Sequence, residues 1–166
     1  VASAPWGSVL VSLISYGYIR MLGAEGLKQA TIQAIINANY LRTKLQDHYS
    51  ILYTGEKGMV AHEMILDFHE FKQSANIEVG DVAKRLGDYS FHAPTVSFPV
   101  HGTLMIEPTE SEPLEELDRF VRAMIAIRNE IKEVENGIAD NEDNVLRNAP
   151  HTAQHALDDS WEHSYS

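Results

Sequence analysis

Residues 102–134 change period part-way along. Gly102–Ile106 (GTLMI) is a short apolar run, whereas from Leu114 onward Leu117, Val121, Met124, Ile125, Arg128, Ile131 and Val134 recur every three or four residues. The first pattern predicts a strand and the second a long helix with one apolar stripe. Such a stripe must be laid on something, and a neighbouring strand points to a sheet. Other segments supply that sheet. Ser50–Tyr53 and Val60–Phe68 read as strands on either side of the turn at residues 54–58, the second half-buried, with Val60, His62, Met64, Leu66 and Phe68 on one face. Ile77–Tyr89 predicts a short helix, and Phe91–Val100 is extended chain broken by Pro94 and Pro99. At the N-terminal end, Ser8 is placed to cap an apolar helix over Val9–Leu22. After Gly23 and Gly26, residues Leu27, Thr31, Ala34, Ile35, Ala38, Leu41 and Leu45 mark an amphipathic helix ending near His48. This order of elements predicts an α/β chain of the α+β type, an antiparallel sheet with helices packed on one face.

A chain of 166 residues is ordinarily one domain and buries roughly 70% of its unfolded surface. Its 24 acidic residues outnumber 13 basic ones, a net charge of −11 with no local Lys/Arg cluster, so a phosphate backbone is repelled and nucleic acid is not a partner. The absence of cysteine removes disulfides, thiolate nucleophiles and cysteine-ligated metal. Val9–Leu22 has no basic flank and is interrupted by Ser12, Ser15, Gly17 and Arg20, which fits a buried helix rather than a signal peptide or membrane span. Past Gly137 the apolar signal gives way to Asp140-Asn141-Glu142-Asp143-Asn144. The expected division is a domain over 1–137 and an irregular tail over 138–166, lying on that domain or on a larger surface. The start at Val1, without methionine and running into Pro5-Trp6-Gly7, suggests a piece of a longer protein.

The densest chemistry is the carboxylate run from Glu107 to Asp118. Thr109-Glu110-Ser111-Glu112 fits a capping box, Pro113 suits a first turn, and Glu112, Glu115, Glu116 and Asp118 complement the positive end of the helix dipole. That assigns most of them to starting a helix. Glu107 stands apart, at a strand end before a proline, where a side chain can face a cleft. Among eight histidines, His62-Glu63 fails the HExxH zinc pattern because Leu66 follows at the fourth position. His151 and His155 have i, i+4 spacing but no third ligand nearby in sequence, so no metal site is expected. His92 and His101 flank the Pro94/Pro99 segment, where bent extended chain commonly lines a pocket, although ordinary hydrogen bonding also accounts for them.

Several separated stretches then resemble one family. VASAPWGS (1–8), YIRMLG (18–23), GLKQAT (26–31), DVAKRLGDYSFHAPTVSFPV (81–100), GTLMIEPTESE (102–112) and APHT (149–152) are similar to the C-terminal part of glycine dehydrogenase (decarboxylating), the P-protein of the glycine cleavage system. The resemblance implies the small C-terminal domain of the aspartate-aminotransferase-like, fold type I pyridoxal-phosphate enzymes. Family members decarboxylate glycine, with pyridoxal phosphate as the electron sink, and pass the aminomethyl group to the lipoyl arm of the H-protein. The intact enzyme is implied to be a homodimer or heterotetramer, off the membrane, cytoplasmic in a bacterium and mitochondrial in a eukaryote. The family's cofactor lysine follows a histidine, and no His-Lys pair occurs here, nor the glycine-rich stretch beyond it. The expectation is therefore a fragment with no catalytic residue of its own, no bound cofactor and no activity alone. Position in the family fold places Ser3, Pro5, Gly7 and Ser8 near the cofactor, and His92, Thr95, Thr103 and Glu107 near the substrate or lipoyl entrance. Two rival readings share the fold class: a non-catalytic interaction or regulatory domain, and an aminotransferase.

Overall fold

The computed structural model describes residues 7–157 and 160–165. In chain order its elements are α1 (Val9–Leu45), β1 (Ser50–Ile51), β2 (Met64–Asp67), α2 (His69–Ala75), α3 (Val79–Asp88), β3 (Thr95–Val96), β4 (Thr103–Ile106), α4 (Leu114–Glu135) and α5 (Ala153–Ala156). The strands form one antiparallel sheet in the order β1-β2-β4-β3. Its centre is the β2–β4 pair, with Met64 opposite Ile106, Ile65 opposite Met105 and Leu66 opposite Leu104.

The period of two sorts these pairs. Met64, Leu66, Leu104 and Ile106 join the main core, against Leu41 and Leu45 of α1, Phe71 of α2, Val82 and Leu86 of α3, and Met124, Ile127 and Ile131 of α4. Ile65 and Met105 are buried as well but stand outside that cluster. So β2 is covered on both sides, and the half-buried strand read from its alternation is corrected. The predicted strands also shorten to the residues that find a ladder partner, and α2, which the sequence pattern left unassigned, follows β2 directly. The long helix α4 packs against α1, α2 and α3 and is the element that ties the helical layer together.

Two helix starts differ from expectation. The Thr109–Glu112 capping box does not form: α4 begins after Pro113, and the Thr109 hydroxyl hydrogen-bonds Ser111 instead (2.8 Å). Ser8 does hold the N-cap position of α1, but its hydroxyl makes no cap bond. At Gly23 (φ 64°, ψ −175°) α1 kinks, a backbone conformation that glycine adopts without strain. Before the kink the helix is exposed over Val9–Leu22, where the sequence predicted burial. Beyond it, Asn37, Ala38, Asn39, Leu41 and Leu45 are buried.

The segment after Gly137 is partly built into the domain. Leu146 is fully buried, and Asn144 accepts from the Leu146 and Arg147 amides. Beneath it Arg85 bridges Glu130 (2.7 Å) and Asp88 (2.8 Å), Tyr89 donates to Glu130, and His151 Nδ1 meets Asp88 at 2.7 Å. Glu130 is thus an inward-facing acceptor of α4. Burial alone would raise the Asp88 carboxyl, but hydrogen bonds from His151 and Arg85 hold it below the usual carboxylate range.

Candidate functional site

The β3–β4 end of the sheet opens into a cleft of about 400 Å³. Phe91, His92, Ala93, Pro94 and Thr95 form one wall, Met105–Pro108 another, and Glu112, Glu116, Leu117 and Phe120 close it from the α4 side. The floor is apolar and the rim carries three carboxylates, Glu107, Glu112 and Glu116. Glu116 is neutralised locally: Arg119 bonds it at 2.6 and 2.8 Å, which lowers its carboxyl pKa, while the guanidinium lies 3.6 Å over the Phe91 ring. His92 Nδ1 lies 3.0 Å from the Ala93 carbonyl, which can only accept, so the neutral ring carries its proton there. That leaves Nε2 as a lone-pair acceptor with no partner among the described residues.

A second constellation adjoins the cleft at Glu107. Extending the β2–β4 register by one residue sets Glu63 opposite Glu107, and a bend at His62 brings its Nε2 to 3.7 Å from Glu63 and 3.9 Å from Glu107. Two carboxylates set side by side just beyond the end of the ladder repel one another. A protonated imidazole or a bound cation would relieve that. Among the described residues this is the one group of three metal-capable side chains whose ligand atoms all lie within 4.8 Å, and all three are solvent-accessible.

What fixes the two loops is a feature that sequence reasoning missed, the pair Asn37 and Asn39 on α1. Asn39 donates to the Val60 carbonyl (2.8 Å) and accepts from the Val60 amide (2.9 Å). Asn37 donates to the Thr109 carbonyl (2.8 Å) and is itself held by Gln33 (2.7 Å). One loop leads into His62-Glu63 and the other leaves Glu107. Both asparagines are buried, and an amide inside a helix facing a core is costly without partners. Two buried asparagines at spacing two inside an apolar helical pattern were the available signal.

The candidates named from sequence separate cleanly. His92, Thr95 and Glu107 are brought together on the cleft. Thr103 is not among its lining residues: it is fully buried, its hydroxyl donating to the Val100 carbonyl (2.6 Å). Gly7 and Ser8 are exposed and away from the cleft lining, and Ser3 and Pro5 lie outside the described residues. His151 and His155 stack with ring centroids 6.1 Å apart, and both nitrogens of His151 are engaged, by Asp88 and by the Tyr165 hydroxyl (2.9 Å).

The whole HAPT stretch, with Glu107, Pro108 and Glu112 of EPTESE, lines this cleft. Residues 30–151 match the family described as "Glycine dehydrogenase, C-terminal domain". This chain belongs to the glycine dehydrogenase family. It is 64% identical over its whole length to "Glycine dehydrogenase (decarboxylating)" of Flavobacterium johnsoniae, 60% identical to that of Nostoc punctiforme, and 57% identical over 99% of its length to that of Bdellovibrio bacteriovorus. It spans 17% of the length of each of these glycine dehydrogenases.

Proposed function

We propose that this chain is the small C-terminal domain of a glycine dehydrogenase (decarboxylating) of the fold type I class, with residues 1–137 as the domain and 138–166 as a tail dressing it. Its cleft then forms one wall of the passage through which glycine or the lipoyl arm of the H-protein reaches a pyridoxal-phosphate centre held by the rest of the enzyme. The observation that carries this reading is the convergence of His92, Thr95 and Glu107 on one cleft in a chain of this family. The cleft by itself does not fit pyridoxal phosphate. No lysine is among its lining residues, and the carboxylates on its rim oppose a phosphate. Its own residues are suited to other tasks: an apolar floor that excludes water, a His92 nitrogen able to accept a proton or hydrogen bond, and carboxylates that attract a cationic amine.

The test is made in the full-length enzyme, with His92→Ala, Thr95→Ala and Glu107→Gln assayed one at a time. Glycine–bicarbonate exchange reports on the glycine side, and the KM for lipoylated H-protein reports on the arm. At least one of the three should fall tenfold or more in one assay, about 1.4 kcal/mol of lost transition-state or binding energy. Unchanged values for all three in both assays remove the cleft from the passage.

A further inference from the structure

Residues 9–22 form a helix that is bare over most of its surface, touching the rest of the chain at Tyr18, whose hydroxyl donates to Glu110 (2.9 Å). Val9, Leu10, Val11, Leu13, Ile14, Tyr16, Ile19 and Met21 are all exposed, Ile14 to 73% and Ile19 to 51%. The sides of this helix do not differ. At about 100° per residue, Leu13, Ile14 and Ile19 point roughly a third of a turn apart, and apolar residues fill the circle between them. Arg20 is the one charged side chain in the stretch, and it has no ion pair or hydrogen bond among the described residues.

That distribution selects among the covers such a helix can have. A second copy of the chain, meeting it across a two-fold axis, shields a single stripe and leaves the opposite side wet. A membrane surface needs a polar face that this helix lacks, and no described helix is long and apolar enough to cross a membrane. A helix that is apolar on every side belongs inside the core of a larger body. The relatives supply such a body, since this chain accounts for only 17% of their length. The kink at Gly23 sets the free half at an angle to the half that packs on α4, so apart from the Tyr18–Glu110 contact its apolar residues face away from the rest of the chain.

We infer that residues 9–22 are a plug, seated in an apolar channel of the remaining glycine dehydrogenase polypeptide that encloses every side except the one Tyr18 turns to Glu110, with one acceptor group in the channel wall meeting Arg20. The inference rests on the reading of this chain as one domain of that longer enzyme. It makes the small domain's attachment a core-like graft instead of a loose linker, and it fixes the partner's chemistry as an apolar helix-wide slot.

The experiment uses the intact glycine dehydrogenase that contains these residues. Amide hydrogen exchange should show residues 9–22 protected about as strongly as residues 120–131 of α4, and unchanged by hundredfold dilution. Leu13→Asp, Ile14→Asp and Ile19→Asp should each lower the thermal midpoint by about 5 °C or more. Should these variants not accumulate, the exchange measurement on the unmodified enzyme still decides. Rapid exchange over 9–22, protection lost on dilution, or tolerance of two of the three substitutions would overturn the plug. An enzyme that protects this helix yet does not act on glycine supports the plug while sinking the functional reading.

Discussion

The two sides of this chain treat charge in opposite ways. Under the C-terminal segment, Arg85, Glu130, Asp88, Tyr89 and His151 form a closed set in which each charged group meets an opposite partner or a hydrogen-bonding one, all largely shielded from water. At the cleft mouth, Glu63 and Glu107 face each other with only His62 between, and Glu112 adds a further negative charge to the rim. The closed set has the form of a structural fastening, because removing any one member strands the others. The open set is exposed and shares one imidazole between two carboxylates, so it fastens little, and side chains so placed are free for what they meet.

That contrast can be attacked directly. Arg85→Met should be the most damaging change, on the order of 3–5 kcal/mol in urea unfolding, since it leaves Glu130 and Asp88 unpaired and poorly solvated. A loss under 1 kcal/mol would mean that water enters and the fastening is not closed. Next comes Asn39→Ala, about 2–4 kcal/mol, because both the amide and the carbonyl of Val60 lose their partner inside the protein. If the contrast is right, the same variant should also disturb the His62–Glu107 approach, visible as altered His62 imidazole shifts by NMR.

Acid offers a third, smaller handle. Asp88 and Asp143 are both held below the ordinary carboxylate range in the folded chain, Asp88 by His151 and Arg85 against the opposing effect of burial, Asp143 first by His163. A depressed folded pKa contributes stability that is complete above the unfolded value near 3.9 and is lost as pH falls through the folded value. Stability should therefore decline below about pH 4, and Asp88→Asn should flatten that decline; an unaltered acid limb would detach Asp88 from the fastening. The smallest effect is expected at the other pole. Glu107→Gln removes one of two opposed charges and should change stability by no more than about 0.5 kcal/mol, in either direction. A loss above 2 kcal/mol would show Glu107 to be structural, and the comparison would collapse.

Much of this was legible in the residues. The long helix α4, the strand before it and the antiparallel sheet followed from a switch in period that tertiary contacts did not override. The motif stretches gave the family and three residues that share the cleft. What failed did so for identifiable reasons. Thr109-x-x-Glu112 satisfies the local rule for a cap, yet Asn37 holds the Thr109 carbonyl and the helix begins one turn later, so a long-range bond outweighed a local preference. Thr103 was expected near the entrance from its position in the family fold; here it is buried, its hydroxyl donating to the Val100 carbonyl, and it is not among the residues lining the cleft. The tail read as irregular because Leu146 and Ala149 are too few to make a periodic signal, though both are buried. The meeting of His62 with Glu107, 45 positions apart in sequence, depends on strand register, which spacing along the chain does not encode.

The asparagine pair on α1 has a mechanical corollary. Asn37 and Asn39 leave the helix about 200° apart, with an axial rise of only about 3 Å between them, so each grips a different loop from a different side of the same rod. Sliding or rolling that rod by an ångström drags both loops together, and with them the two jaws that carry His62-Glu63 and Glu107. Whatever grasps the free end of α1 therefore has a lever on the width of the cleft mouth.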